Sequence, residues 1–143
     1  MVEETRSDRG AVPRVLGDFA GRWRLDREIA HDDGSRARFT GQAEWRPVPA
    51  GLDYRETGTL VLAGQRMQAE RRYLWRPDLS VCFADGRFFH QVPPQGGETA
   101  HWCAPDRYEG HYDFTAWPEF RVRWRVTGPR KAYRMTSHYR RLP

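Results

Sequence analysis

Polar and apolar residues alternate with period two through most of this 143-residue chain. In "GRWRLDREIAH" (21–31), Trp23, Leu25 and Ile29 alternate with charged side chains. The same pattern returns in segment after segment, and turn residues separate the segments at short intervals. Because successive side chains of a strand point to opposite faces, the pattern predicts half-buried β-strands. We expect about nine or ten strands, joined mainly by hairpins.

One-sided alternation in so many consecutive strands favours an all-β fold in which the sheet closes on itself. We predict a single antiparallel barrel of about 8–10 strands, because closure removes the exposed edges of an open sheet. Such a barrel has an interior that can hold a small ligand. A two-sheet sandwich is the alternative fold. Residues 1–11 are predicted to be a disordered leader and residues 12–143 the barrel domain, with a short helical turn at its start.

Two local patterns predict strand pairing. Asp85-Gly86 is typical of a two-residue hairpin turn, which would set Phe83 opposite Phe88 and Val81 opposite His90. The stretch "TAHWCAPDRYEGHYDF" (99–114) predicts one or two strands, broken at Ala104-Pro105-Asp106. Its inner face is open at this stage. Either His101 and Cys103 point inward toward His90, or the intervening side chains do and these two lie outside.

The start of the chain resembles the opening of the lipocalins and their calycin relatives, which have a short helical turn followed by Gly21-x-Trp23. In that superfamily a basic side chain from a late strand packs over the tryptophan. Arg134, Arg140 and Arg141 are the candidates here. Further segments, including "GLDYRETG", "RRYLWRP" and "FADGRFFH", make the chain similar to a small bacterial family of proteins of unknown function with a lipocalin-like barrel. The resemblance implies a lipocalin-like β-barrel and brings no activity with it.

Three charged residues interrupt otherwise apolar faces: Arg27, Glu56 and Arg71. A buried charge is costly unless it is paired, so these side chains need partners. One hypothesis is that the arginines bind a carboxylate or another anion, with Glu56 as their partner or as a general acid or base. The alternatives are a structural ion-pair cluster, or a position near the barrel mouth where the inner face meets solvent.

His90, His101 and Cys103 form a second candidate group, because two histidines and a cysteine can bind zinc and leave a fourth position open. Haem bound through one of the histidines is a further alternative, and so is a Cys103–His nucleophile pair. Tyr54 and Tyr73, together with Tyr108 and Tyr112, are predicted to point inward. Their hydroxyl groups would face a ligand, or else the rings are ordinary aromatic core.

The net charge of +5 and the pI near 9.7 make an anionic partner worth considering. No block of consecutive basic residues accompanies them, and the arginines of "RVRWRV" lack flanking exposed aromatics, so nucleic acid is disfavoured. No run of apolar residues is long enough for a membrane-spanning helix. The N-terminus lacks the apolar stretch of a secretory signal, and with two cysteines this predicts a cytoplasmic protein. A homodimer is compatible with the sequence.

Together these observations predict a barrel that binds a small apolar or aromatic ligand, with or without a carboxylate, in an interior cavity. The alternatives are an enzyme of lyase or isomerase type using the same cavity, and a haem- or metal-binding barrel. The sequence assigns no catalytic residue, no metal ligand and no cofactor. The predicted ligand-binding residues are Arg27, Tyr54, Glu56, Arg71, Tyr73, His90, His101 and Cys103.

Overall fold

The computed structural model describes residues 12–143. The predicted leader, residues 1–11, lies outside this range. A 3-10 turn at Leu16–Phe19 precedes ten strands. The strands are β1 (Gly21–His31), β2 (Arg36–Val48), β3 (Gly51–Leu62), β4 (Gln65–Trp75), β5 (Ser80–Phe83), β6 (Phe88–Gln91), β7 (Gly97–Cys103), β8 (Asp106–Asp113), β9 (Phe120–Thr127) and β10 (Ala132–Arg141).

All ten strands belong to one antiparallel sheet with the order β6-β5-β4-β3-β2-β1-β10-β9-β8-β7. Because β1 pairs with β10, the first and last strands lie side by side. The ends of the sheet, β6 and β7, come into contact without forming a ladder. This confirms the all-β barrel, although a seam replaces the continuous closure that we expected. Aromatic contacts cross the seam, where His101 of β7 packs against Phe88 and Phe89 of β6.

The base of the barrel is filled by aromatic rings. Phe19, at the end of the 3-10 turn, is fully buried and packs against Trp45, Trp75 and Phe114. The indole of Trp23 packs beside them and donates a hydrogen bond to the Phe19 carbonyl oxygen at 2.9 Å. Burial of several large aromatic side chains in contact supplies much of the apolar area that stabilises a small domain.

Arg141 closes this base from outside, which confirms one of the three arginines that the lipocalin resemblance suggested. Its guanidinium carbon lies 4.1 Å from the centre of the Trp23 ring. The same group donates hydrogen bonds to the carbonyl oxygens of Ala20 at 2.6 Å and Asp18 at 2.5 Å. The last strand is thereby joined to the 3-10 turn, which is held over the bottom of the barrel.

The β5–β6 hairpin differs from its predicted form. Val81 lies opposite His90, as the turn predicted, but Cys82 rather than Phe83 lies opposite Phe88. The register shifts between Val81 and Cys82, which is a β-bulge. Because the bulge adds a residue on one side of the ladder, the neighbouring residues Phe89 and His90 are both buried.

The inner face of β7 is also settled. Thr99 and His101 are half-buried, whereas Trp102 is exposed. The expected inward position of Cys103 is wrong, since its side chain is exposed. Cys103 is the last residue of β7, at the turn to β8, and the ring contacts with β6 are made by His101. Within residues 12–143, no helix has the length and apolarity needed to cross a membrane.

Candidate functional site

A cavity of about 290 Å³ lies inside the barrel. It extends from Trp75, beside the aromatic base, to Arg71 and Lys131, whose side chains are half-exposed. Its volume is close to the lower end of the range for small-molecule pockets. All six tyrosines of the chain line this one cavity. They are Tyr54, Tyr73, Tyr108, Tyr112, Tyr133 and Tyr139.

The inner part of the cavity contains a buried ion pair. Arg27 of β1 donates two hydrogen bonds to the Glu56 carboxylate of β3, from Nη1 to Oε1 at 2.7 Å and from Nη2 to Oε2 at 2.9 Å. Its Nε donates to the Ser137 hydroxyl oxygen at 2.7 Å. Both side chains of the pair are almost fully buried, at 8% and 2% exposure. The pairing therefore meets the requirement that buried charges be compensated.

Two tyrosines extend this network. The Tyr54 hydroxyl donates to Oε2 of Glu56 at 2.5 Å, and the Tyr54 and Tyr139 hydroxyls are 2.9 Å apart. With the Tyr54 proton committed to Glu56, the Tyr139 hydroxyl is the donor to Tyr54. A continuous chain of hydrogen bonds thus runs from Tyr139 through Tyr54 and Glu56 to Arg27.

The electrostatics of the network keep Glu56 ionised. Burial alone would raise the pKa of Glu56, but the charge and hydrogen bonds of Arg27 outweigh burial and hold it below its ordinary value. Burial, followed by the charge of Glu56, raises the pKa of Tyr54 well above 10 and that of Tyr139 to about 12. At neutral pH the network is a carboxylate and a guanidinium flanked by neutral phenols.

One wall of the cavity is a stack of nearly parallel rings centred on Phe89. The Phe89 ring lies 4.8 Å from Phe83, 5.3 Å from Trp124 and 5.8 Å from Tyr73, measured between ring centres. The interplanar angles of these contacts are 19°, 19° and 26°. The bulge that turns Phe89 inward therefore brings its ring into stacking contact with all three.

His90 also lines the cavity and packs edge-on against this wall, with its ring centre 4.3 Å from that of Phe89 and 4.8 Å from that of Trp124. Its Nε2 is 2.8 Å from the Tyr112 hydroxyl oxygen, while its Nδ1 is buried and has no hydrogen-bond partner among residues 12–143. Burial, followed by the neighbouring His101, lowers the pKa of His90 to about 3. The ring is therefore a neutral imidazole at physiological pH.

The charged side chains of the cavity lining that remain half-exposed lie at its mouth. The Arg71 Nε lies 3.8 Å from Oε1 of Glu56, beyond hydrogen-bond distance. The Lys131 ammonium lies 3.3 Å from Oδ2 of Asp106. The Tyr73 and Tyr133 hydroxyls are in the same region, and neither has a protein hydrogen-bond partner within the described part of the chain.

Comparison with known proteins places the chain in a family. The model of the "Family of unknown function (DUF6314)" matches residues 19–141. The chain belongs to this family. The match begins at Phe19 in the aromatic base and ends at Arg141, so the DUF6314 region contains the whole barrel. No curated protein matches the chain.

Solved structures add a relationship at the level of the fold. The S-type phycobiliprotein lyase CPES from Guillardia theta superposes with a TM-score of 0.63 over 90% of each chain, at 9% sequence identity. A de novo designed fluorescence-activating β-barrel has a TM-score of 0.43 and 16% identity, over 89% of this chain and 96% of the design. The lyase comparison supports a lipocalin-like barrel for this DUF6314 protein.

The DUF6314 barrel brings together six of the eight predicted site residues. Arg27, Tyr54, Glu56, Arg71, Tyr73 and His90 all line the cavity. His101 does not line it and instead packs at the seam against Phe83, Phe89 and Tyr108. Cys103 is exposed and contributes nothing to the cavity surface.

Neither the zinc alternative nor the haem alternative has a suitable set of ligands inside the cavity of this DUF6314 member. Among residues 12–143, no three His, Cys, Asp or Glu side chains are arranged to hold a metal ion, and the exposed Cys103 does not join His90. Haem needs an accessible imidazole nitrogen. In His90, Nε2 is bonded to Tyr112 and Nδ1 is fully covered by protein. The other candidate, His101, packs at the seam and does not line the cavity.

Several cavity residues were missed from the sequence. Tyr133, Met135, Ser137 and Tyr139 alternate along β10 and line the cavity, so their period-two spacing was a usable signal. Phe89 lies on the face that the predicted turn assigned to the exterior, and only the bulge reverses it. Lys131 precedes β10, in the basic turn "GPRK" (128–131), to which strand alternation does not apply.

Proposed function

We propose that this protein is a small-molecule-binding barrel whose cavity holds an apolar or aromatic ligand. The observation that carries the proposal is the placement of every tyrosine of the chain around one cavity of about 290 Å³. Tyrosines that served only to fill a core would not need to share one unfilled space. Pockets typically combine an apolar and aromatic lining with a few polar groups that orient the ligand.

The aromatic wall favours a planar ligand. Phe89, Phe83 and Trp124 present nearly parallel rings, against which a flat ring can stack. The hydroxyls of Tyr73 and Tyr133, which have no hydrogen-bond partner among residues 12–143, supply hydrogen-bonding groups nearer the mouth. We assign the six cavity-lining residues predicted from sequence to this site, which are Arg27, Tyr54, Glu56, Arg71, Tyr73 and His90.

Binding is a better account of the inner cluster than lyase or isomerase chemistry. A carboxyl group that acts as a general acid needs a raised pKa, so that it carries a proton near neutral pH. The pKa of Glu56 is lowered, because the Arg27 charge and hydrogen bonds outweigh the effect of burial. With both carboxylate oxygens occupied by Arg27 and Tyr54, Glu56 is also a poorly available base.

A cavity-filling variant tests the proposal. Val122 lines the cavity from β9, between Tyr112 and Ser137 in neighbouring strands. We expect wild-type protein to bind 2-naphthoate or its neutral analogue 2-naphthamide in calorimetric titrations, and Val122→Phe to abolish binding while retaining the wild-type circular dichroism spectrum. Native mass spectrometry of the purified protein would reveal a retained ligand.

The matched control is Val61→Phe. Val61 lies opposite Arg38 and Arg66 in the neighbouring strands, on the outer face, so the added ring does not enter the cavity. This variant should bind as the wild type does. If neither naphthalene compound binds wild-type protein, or if folded Val122→Phe binds as tightly as wild type, the proposed function is wrong.

A further inference from the structure

The position of the ligand's charged group can be inferred from the way the cavity's charges are already used. The lining contains three cationic side chains, Arg27, Arg71 and Lys131, and one anionic side chain, Glu56. The cavity therefore has an excess of positive charge, which favours an anionic ligand. The question is which of these cations is available to a ligand.

Arg27 is not available. Each of its three nitrogens already donates a hydrogen bond, one to Ser137 and two to Glu56. A ligand carboxylate at Arg27 would have to displace Glu56 or be buried beside it, and both arrangements leave a negative charge without adequate compensation. The inner end of the cavity consequently suits the uncharged end of a ligand.

Arg71 and Lys131 are available. Their side chains are 47% and 46% exposed, and each contacts one carboxylate at more than 3 Å, Glu56 for Arg71 and Asp106 for Lys131. They reach the mouth from different parts of the barrel, since Arg71 is on β4 and Lys131 immediately precedes β10. Solvent access at the mouth also allows an anion to enter without crossing the apolar interior.

Tyr133 lines the cavity together with both cations and lies two residues after Lys131, at the start of β10. Burial, and then its neighbour Tyr108, raise the pKa of Tyr133, while the charges of both Arg71 and Lys131 act in the opposite direction. The Tyr133 hydroxyl therefore lies within the electrostatic reach of both groups. An anion held among these three groups would be offered a neutral O–H donor and cationic N–H donors, the combination that strong anion sites use.

We propose that Arg71, Lys131 and the Tyr133 hydroxyl form an anion site at the mouth, and that the cavity takes planar aromatic carboxylates whose ring lies against Phe89. This inference rests on the proposed function, because it names the ligand class of the same cavity. It replaces the sequence-based hypothesis in which Arg27 and Arg71 together bind the anion.

The test compares 2-naphthoate with 2-naphthamide, which have the same ring system and nearly the same shape but differ in charge. We expect wild-type protein to bind the carboxylate about tenfold more tightly than the amide in calorimetric titrations at pH 7. Arg71→Gln and Lys131→Gln should each weaken 2-naphthoate binding about fivefold and weaken 2-naphthamide binding much less. Added sodium chloride should weaken only the binding of the carboxylate.

Arg72→Gln is the matched control. Arg72 is adjacent on β4 and equally exposed, at 47%, but it lies on the outer face, where it contacts Asp53. This variant removes the same charge from the protein and should change the affinity for neither compound. Equal wild-type affinities for the two compounds, or equal effects of Arg71→Gln and Arg72→Gln, would overturn the anion site and leave the binding function intact. Failure of both compounds to bind would overturn the proposed function itself.

Discussion

Arg27 and Glu56, 29 residues apart in sequence, meet inside the barrel through two hydrogen bonds of 2.7 and 2.9 Å. Neither side chain could occupy this interior alone, because an isolated buried ion costs several kcal/mol. Each charge therefore has to be paired for the two side chains to lie inside the cavity. Because the two charges cancel, the charged group of a ligand is left to the cations at the mouth.

Removal of one partner should be far more damaging than removal of an exposed ion pair. We expect Arg27→Met to lower the free energy of unfolding by about 3–5 kcal/mol, since Glu56 stays buried without its counter-charge. The double variant Arg27→Met/Glu56→Gln should be more stable than Arg27→Met alone. Urea denaturation at pH 7 provides the measurement.

Arg38→Met serves as the control for this comparison, because Arg38 pairs with Glu28 at 3.0 Å on the exposed surface. We expect it to cost at most about 1 kcal/mol. If Arg27→Met and Arg38→Met lower the free energy of unfolding equally, the buried ion pair is no more important for stability than the exposed one.

Stability should fall as the pH decreases from 7 to 5. The pKa of His90 is about 3 in the folded protein, where burial is the main cause, against about 6.5 for an unfolded histidine. Because the unfolded state binds more protons in this window, the free energy of unfolding should drop by about 2 kcal/mol for this group. Burial lowers the pKa of His101 as well, so its contribution has the same sign.

Urea denaturation at several pH values, on the wild type and two variants, checks this prediction. His90→Gln should remove most of the pH dependence, whereas His101→Gln should remove less, since His101 is only half-buried. Glu56, whose pKa is lowered because Arg27 outweighs burial, loses its stabilising contribution only at more acidic pH. If the free energy of unfolding of His90→Gln depends on pH as steeply as that of the wild type, His90 is not the source of the pH dependence.

Two facing glycines allow β2 and β3 to approach closely. A Cβ at Gly41 would overlap the Thr57 carbonyl oxygen and lie 2.7 Å from Cα of Gly58. We expect Gly41→Ala to lower the thermal unfolding temperature and to cost about 2–3 kcal/mol, because backbone rather than a flexible side chain must move. Gly17→Ala is the comparison, as nothing lies within 4 Å of a Cβ there. Similar stabilities for the two variants would contradict this account.

The cap over the barrel base can be tested at Arg141. Arg141→Gln should cost about 2 kcal/mol, through loss of the contact with the Trp23 ring and of the charged hydrogen bonds to Ala20 and Asp18. The near-ultraviolet circular dichroism of the tryptophans should change with it. The adjacent Arg140 has only an exposed contact with Glu119, at 3.8 Å, so Arg140→Gln should leave both properties unaltered.

Asp106 should compete with a ligand anion for Lys131. Its Oδ2 lies 3.3 Å from the Lys131 ammonium, and this contact is the main cause that raises the pKa of Lys131. In the same calorimetric titration, Asp106→Asn is expected to tighten 2-naphthoate binding about twofold, with 2-naphthamide unaffected. Weaker binding of the carboxylate would indicate that Asp106 positions Lys131 rather than competing for it.

The strands and their faces could be predicted from local sequence. Alternation alone assigned the inward positions of Leu25, Phe39, Tyr54 and Val122, and all four are buried. The break at Ala104-Pro105 separates β7 from β8 as predicted. These features follow from local sequence because a strand's two faces are fixed by the parity of residue number, which no distant contact alters.

The candidate site depended on contacts that local sequence does not encode. The alternation placed Arg27, Glu56 and Arg71 on inner faces, but only the barrel's closure decided that Glu56 pairs with Arg27 while Arg71 remains at the mouth. A one-residue bulge in β6 brought Phe89 inward, against the parity of an ideal hairpin.

Residues 99–114 likewise combine features that local sequence predicts with features that tertiary contacts decide. Its sequence predicted one or two strands with a break at Ala104-Pro105-Asp106, since alternation and proline act locally. Only the tertiary structure decided that His101 closes the seam and that Cys103 lies outside. The physical reason is that the position of β7 and β8 depends on where the sheet ends meet, and that is set by the twist and pairing of all ten strands together.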